Sequence, residues 1–150
     1  MQTELGDMFK RVEMLDIIHA WFYAFDKDIE HYVLYLIQKE QLVDLGINDA
    51  GKIIGRYSEL TQQLNPLKKQ GSPYTLLDTG EFFKSMVVKV LRDSFIVDGD
   101  GNKTNFIGTT NLFQLYGDGI VGLTEYNKER LIEMLKENYI KYVRYVLQIT

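Results

Sequence analysis

From Asp7 to Leu45 the chain contains neither proline nor glycine. That stretch carries apolar residues at steps of three and four, namely Met8, Val12, Leu15, Ile18, Phe22, Phe25, Ile29, Val33 and Leu36. The spacing follows the period of an α-helix, and Gly46 is suited to end it. It therefore predicts a long N-terminal helix. Because so long a helix is unusual in a small domain, Asp26-Lys27-Asp28 is a candidate bend or break into two helices.

Apolar side chains cover more of this predicted helix than one core-facing stripe requires. Between Leu15 and Phe25 they wrap most of its circumference. We expect another surface to cover the excess, which makes Trp21, Phe22 and Phe25 candidate interface residues. The alternative is that the helix is central in its own core.

After Gly46 the chain turns to shorter elements. Gly51 to Ser58 predicts a short strand bounded by glycine. Residues 61–74 predict a loop, because they are polar and include Asn65-Pro66 and Gly71-Ser72-Pro73.

A short helix is predicted from Thr79 to Ser85. Asp78 is suited to its N-cap, and Glu81, three positions further on, is able to close a capping box. Helix capping alone thus accounts for both acidic residues.

The second half of the chain predicts a hairpin and two further helices. β-Branched and aromatic residues from Met86 to Val97 alternate around a turn at Leu91 to Ser94. Asn111 to Tyr116 predicts a short helix. Thr124 is suited to cap a final helix from Glu125 to about Gln148.

The final helix carries tyrosines on more than one side. Tyr142 lies on the face of Leu131 and Leu135, whereas Arg144 and Tyr145 lie off it. Tyrosine and arginine are favoured in protein contacts, so Arg144 and Tyr145 are candidate interface residues.

This order of elements predicts an α+β fold, with a long helix at each end and a small antiparallel sheet with short helices between them. The 150 residues are within the size of a single domain. We expect a helical region over 1–46, the sheet with its short helices over 47–123, and the C-terminal helix over 124–150.

Composition argues against several classes of protein. Apolar residues make up 45% of the chain, but no run approaches the roughly 18 that a membrane helix needs. The first residues lack a signal-peptide pattern and the chain has no cysteine, which predicts synthesis in a cytoplasm. A net charge of −4 argues against a nucleic-acid binder, and we expect no direct sequence-specific binding.

The segment Leu77-Asp78-Thr79-Gly80 resembles the active-site turn of aspartic proteases, in which two carboxylates share a proton. Ile53-Ile54-Gly55-Arg56 is similar to the segment that packs behind this turn in retroviral-type proteases. Here that segment precedes the turn instead of following it, and Glu81 stands where the family has a small residue. Long terminal helices also fit poorly with a mostly β fold. A protease is therefore a remote alternative.

No other catalytic or cofactor site is predicted. His19 and His31 are the only histidines, and roughly 18 Å of helix would separate them, too far to share a metal. Neither a nucleophile with its base nor a phosphate-binding loop stands out. We expect no metal, no cofactor and no catalysis.

A set of short motifs runs from about Ile37 to the C-terminus. They are Gln38-Lys39-Glu40-Gln41-Leu42 with Gly46-Ile47, Ile54-Gly55-Arg56-Tyr57-Ser58, Thr75 to Met86, Asn111-Leu112-Phe113, Tyr116-Gly117 and Gly122-Leu123-Thr124. Together they resemble proteins of phages and prophages of the Bacteroides group, which are in turn similar to neck and tail-completion proteins of tailed phages.

That resemblance implies a non-enzymatic virion protein of the head-tail junction, a neck, connector or tail-completion subunit made in the host cytoplasm. Such proteins form sixfold or twelvefold rings between the portal and the tail, in contact with other neck or tail proteins. Ring assembly would cover the apolar N-terminal helix and an arm from Asn65 to Pro73. A prophage-encoded protein-binding adaptor fits the same composition and stays open as an alternative.

Overall fold

The N-terminal region consists of several helices that follow one another. The computed structural model describes residues 4–13, 15–105 and 107–149, so residues 1–3 and 150 of the predicted terminal regions lie outside it. Three α-helices come first, α1 (Glu4–Glu13), α2 (Ile17–Ala24) and α3 (Lys27–Tyr35). A π-helical segment, Leu36–Leu45, continues α3. The prediction of one long N-terminal helix is therefore wrong.

Two aspartates account for helix starts in this region. The Asp16 side chain accepts hydrogen bonds from the backbone N–H groups of Ile18 (2.7 Å) and His19 (3.1 Å) at the start of α2. Asp26 does the same for Ile29 at the start of α3, at 3.0 Å. A short acidic side chain at an N-cap stabilises an extended backbone there, which interrupts helical periodicity. The candidate break at Asp26 is confirmed, whereas the start at Asp16 was not foreseen.

Gly46 ends the π-helical segment as predicted. Its φ is +64°, in the left-handed region that favours glycine, and its N–H donates to the Leu42 carbonyl at 3.1 Å. A Cβ at this position would lie 2.4 Å from the Cβ of Pro73. Gly46 is therefore required both by the turn and by the close approach of a distant segment.

The middle of the chain forms two small helices and two hairpins. The helices are α4 (Glu59–Leu64) and α5 (Glu81–Ser85). Each hairpin is a two-stranded antiparallel sheet, one of β1 (Val87–Val90) and β2 (Phe95–Asp98), the other of β3 (Asn102–Asn105) and β4 (Gly108–Asn111).

The first hairpin confirms the sequence prediction, because Leu91 N–H donates to the Ser94 carbonyl at 2.8 Å across the predicted turn. The second hairpin was not predicted. The predicted strand from Gly51 to Ser58 is wrong. In that segment Ile53 and Arg56 form only isolated bridges, with Ile47 and Pro73 respectively.

Three elements complete the chain, the short helix α6 (Leu112–Tyr116), a 3-10 turn at Asp118–Val121 and the long C-terminal helix α7 (Glu125–Leu147). Thr124 caps α7, since its hydroxyl accepts from Asn127 N–H at 3.3 Å. Both helices and the Thr124 cap confirm the sequence predictions.

Helix α7 provides the surface on which α1, α2 and α3 pack. The rings of Tyr23 and Tyr142 meet at 5.3 Å between α2 and α7. The central apolar cluster draws on the segment from Phe25 to Leu42, on α5, α6, the 3-10 turn and α7. It contains Phe25, Ile29, Val33, Leu36, Ile37, Leu42, Phe82, Met86, Leu112, Ile120, Val121, Leu123 and Leu131. The molecule is thus α+β, with two small antiparallel sheets and a long C-terminal helix.

Candidate functional site

Asp78 does not cap a helix, contrary to the sequence prediction. Helix α5 begins after Gly80, whose φ is +84°, and Glu81 is its first residue and not the third residue of a capping box. The Asp78 carboxylate instead accepts hydrogen bonds from Lys68 Nζ at 3.2 Å and Lys103 Nζ at 2.5 Å. The carboxylate thus accepts its side-chain hydrogen bonds from two lysines, one in a loop and one in β3. It lies between these lysines and not at the N-terminus of α5.

These groups form part of the Asp78 pocket, a cavity of about 260 Å³. Its wall includes three tyrosines, with Tyr74 packed against Tyr57 (4.8 Å between ring centres) and Tyr116 (6.0 Å). Burial raises the pKa of Tyr116.

The Asp78 pocket holds its carboxylate in the ionised state. The hydrogen bonds from Lys103 and then Lys68 lower the pKa of Asp78. A protease dyad requires the opposite environment, in which a second carboxylate raises one pKa so that a proton is shared. Asp78 therefore links the segment of Lys68 to strand β3.

A second cavity is an open, mainly apolar groove of about 750 Å³ between α2, β2, the 3-10 turn and α7, called here the apolar groove. It is lined by Trp21, Phe95, Ile96, Val97, Asp98, Phe113, Asp118, Val121, Gly122, Leu123, Lys128, Leu131, Ile132 and Leu135. Four consecutive residues of β2 contribute to this lining, so an edge of the first hairpin faces the groove.

Aromatic contacts hold one wall of the apolar groove in place. The indole N–H of Trp21 donates to the Leu91 carbonyl at 2.7 Å, which fixes the ring against the hairpin turn. Trp21 packs on Phe25 at 5.2 Å, and Phe25 packs on Phe95 at 4.9 Å. Ile132, on the α7 side, keeps 49% of its surface exposed. Side-chain contacts thus hold the Trp21 wall, while apolar surface on the α7 wall stays exposed.

The structure separates the five predicted interface residues. Phe25 is 3% exposed and packs in the core, so its assignment to a surface is wrong. Trp21 lines the apolar groove, and Phe22 lies exposed on α2. Arg144 and Tyr145 are exposed near the end of α7, at a separate depression beside α1.

A surface that we call the leucine arm, residues 58–70, overlaps the arm predicted from Asn65 to Pro73, but its helix and its exposed leucines were not foreseen. It contains α4, whose N-cap Ser58 accepts from Thr61 N–H at 3.2 Å. Leu60, Leu64 and Leu67 are 64%, 80% and 91% exposed. Prediction of a polar loop over 61–74 overlooked both the serine cap and the steps of four and three between these leucines.

Within the described residues, no group of three acidic or histidine side chains is placed to hold a metal ion. No helix in these ranges is long and apolar enough to cross a bilayer. No protein-family model, curated protein or solved structure matches the chain. The function therefore has to be argued from the surfaces of the molecule and from the motifs of its sequence.

Proposed function

We propose that this chain is a non-enzymatic virion protein of the head-tail junction of a tailed phage, a subunit of a sixfold or twelvefold ring that contacts the portal and other neck or tail proteins. The observation that carries the proposal is the apolar groove, a large apolar surface left open in the single chain. The short motifs between Ile37 and Thr124 that resemble neck and tail-completion proteins support the same role.

An apolar groove that stays open to water has a free-energy cost for an isolated chain. Burial of apolar surface contributes about 25 cal/mol for each Å² removed from water, so covering the groove favours association. A ring needs two different complementary patches on each subunit, because its contacts run head to tail. The apolar groove and the exposed leucine arm are two such patches.

The environment of Asp78 supports a structural role over the protease alternative. Its carboxylate is paired with Lys68 and Lys103, which favours the ionised form. If Asp78→Asn abolished a peptidase activity of the purified protein while leaving its fold intact, the structural proposal would be overturned.

The proposal is tested by the mass of the assembly, measured by native mass spectrometry with and without the portal protein of the same phage. A six- or twelve-membered ring, together with this chain in the neck of purified particles by cryo-electron microscopy, is the expected result. A chain that remains a monomer or twofold dimer and never joins particles would overturn it in favour of the adaptor.

A matched pair of variants connects this measurement to the groove. Ile132 and Ile140 lie on the same helix and are both 49% exposed, but only Ile132 is part of the groove's described lining. Ile132→Asp is expected to reduce assembly, because a charge on an apolar wall must be desolvated when a partner binds. Ile140→Asp is the control and should assemble as the parent chain does.

A further inference from the structure

We infer that the leucine arm of one copy docks into the apolar groove of the next copy and forms the repeating contact of the assembly. The inference rests on the proposed function and names the partner of the same groove, a second copy of this chain. Five observations carry it, namely the exposure of the arm, its hydrogen-bonded base, the fit of a helix to the groove, the opposite net charges and the separation of the two surfaces.

The arm exposes more apolar surface than a solvated loop needs. Leu60 and Leu64 are one helical turn apart on α4 and project on one side of it, and Leu67 follows after the helix has ended at Leu64. Isolated exposed leucines are ordinary on protein surfaces, whereas here two share one side of a helix and a third follows within three residues. The pair on α4 has the spacing of an apolar anchor for a groove.

The base of the arm is held by hydrogen bonds from both sides. Tyr57 N–H donates to the Ser72 carbonyl at 3.0 Å, and Gly71 N–H donates back to the Tyr57 carbonyl at 2.9 Å. Arg56 Nη1 adds a bond to the Gly71 carbonyl at 2.7 Å, and Lys68 reaches Asp78. Because the arm is already ordered in the single chain, docking loses less conformational entropy than folding a flexible loop would.

A short amphipathic helix is a suitable occupant for the apolar groove. Helices bind such grooves by laying apolar side chains one turn apart onto apolar walls. The groove has two walls of this kind, β2 with Ile96 and α7 with Ile132, whose side chains are 50% and 49% exposed.

The two surfaces carry net charges of opposite sign. The lining of the groove contains Asp98, Asp118 and one lysine, Lys128, for a net charge of −1. The arm contains Lys68, Lys69 and one acidic residue, Glu59, for a net charge of +1. Opposite net charges favour this pairing.

The arm does not fill the groove of its own chain. The described lining of the groove contains no residue of the arm, and Lys68 and Thr61 of the arm line the Asp78 pocket instead. Arm and groove are therefore different surfaces of one subunit, and their contact is head to tail, the type that closes into a ring.

The absence of cysteine from the sequence makes cross-linking a direct test. Two single-cysteine chains, Leu64→Cys and Ile132→Cys, are mixed under assembly conditions and treated with a short bismaleimide. The mixture is expected to give a cross-linked pair, while each chain alone gives none. The reason is that the arm of one copy contacts the groove of the next copy, whereas two arms or two grooves do not meet. Leu64→Cys mixed with Ile140→Cys is the control and should not cross-link.

A second pair of variants tests the contribution of the arm. Leu64→Asp is expected to weaken assembly roughly tenfold or more, since it brings a charge into an apolar site. Gln63→Asp adds the same charge one residue earlier on α4, about 100° around the helix from Leu64, and should have the smaller effect. Circular dichroism and urea unfolding of both variants establish that they fold.

The outcomes separate this inference from the proposed function. Rings that form without a Leu64-to-Ile132 cross-link, or that tolerate Leu64→Asp, would overturn the arm-in-groove contact and leave the ring proposal standing. Each single-cysteine chain cross-linking with itself would also overturn it, because that indicates a twofold contact. A specific cross-link in a chain that never enters virions would support the contact while removing the head-tail role.

Discussion

The side-chain oxygen of Gln41 accepts a hydrogen bond from Nδ2 of Asn127 at 2.9 Å, and both residues are buried. The same oxygen accepts from Thr124 N–H at 3.0 Å, and Nε2 of Gln41 donates to the Gly122 carbonyl at 2.8 Å. One glutamine therefore joins the π-helical segment to the start of α7. Because α7 and the adjoining 3-10 turn form one side of the apolar groove, this network also positions the candidate site.

Gln41→Leu should destabilise the protein by about 3 kcal/mol, because it leaves the Thr124 N–H and the Asn127 amide buried without their acceptor. The free energy of unfolding in urea measures the effect. Gln63→Leu, at an exposed position of α4, is the control and should change stability by about 0.5 kcal/mol or less. A loss below about 1 kcal/mol for Gln41→Leu would show that the network contributes little.

Phe25 and Phe22 should respond very differently to truncation, although both were candidate interface residues. Phe25 is 3% exposed and contacts Trp21 and Phe95, so Phe25→Ala is expected to cost about 3–5 kcal/mol of stability. Phe22 is 47% exposed, and Phe22→Ala should cost about 1 kcal/mol or less. Thermal unfolding of the two variants measures the difference, and equal losses would contradict the assignment of Phe25 to the core.

Gly46→Ala should destabilise more than Gly51→Ala, although both glycines have positive φ. The left-handed backbone costs a non-glycine residue about 1–2 kcal/mol at either position. Only at Gly46 does the new Cβ also meet Pro73 and the Tyr74 carbonyl, whereas nothing described lies within 4 Å at Gly51. Urea unfolding of both variants is the measurement, and a similar loss for the two would exclude a contribution from the close approach.

Asp78→Asn should lower stability by about 1 kcal/mol or less at pH 7, because both of its ion pairs are partly exposed and screened by solvent. The pKa of Asp78 is lowered in the folded state, so the stabilisation is fully present above the unfolded pKa of about 3.9 and is lost as pH falls through the lowered value. Parent and variant should therefore converge in stability at acidic pH. Urea unfolding at several pH values tests this, and a difference that grows on acidification would contradict it.

Elements with local signals could be predicted from the sequence. The turn at Leu91 to Ser94, the Thr124 cap and the glycine that ends the π-helical segment each depend on residues close in the chain. The helix start at Asp16 also had a local signal, an aspartate at an N-cap, but continuous apolar periodicity concealed it.

The role of Asp78 could not be predicted in the same way. A capping box and a salt bridge use the same carboxylate, and the choice depends on whether cations arrive from elsewhere. Lys103 is 25 positions away in sequence, so only the folded chain brings it to Asp78. The residues that line the apolar groove likewise come from α2, β2 and α7, which are far apart in the chain.

By itself the sequence determined the α+β class, the long C-terminal helix, the first hairpin and the short helices α5 and α6, because propensity, caps and turns act over a few residues. Tertiary structure decided which apolar residues became core and which stayed at the surface. Phe25 and Phe22 have the same side chain three positions apart, and only the packing of α2 against the hairpin and α7 buries one and exposes the other. Burial is a property of contacts between distant segments, so the apolar groove and the exposure of the leucines on the arm emerged only from the fold.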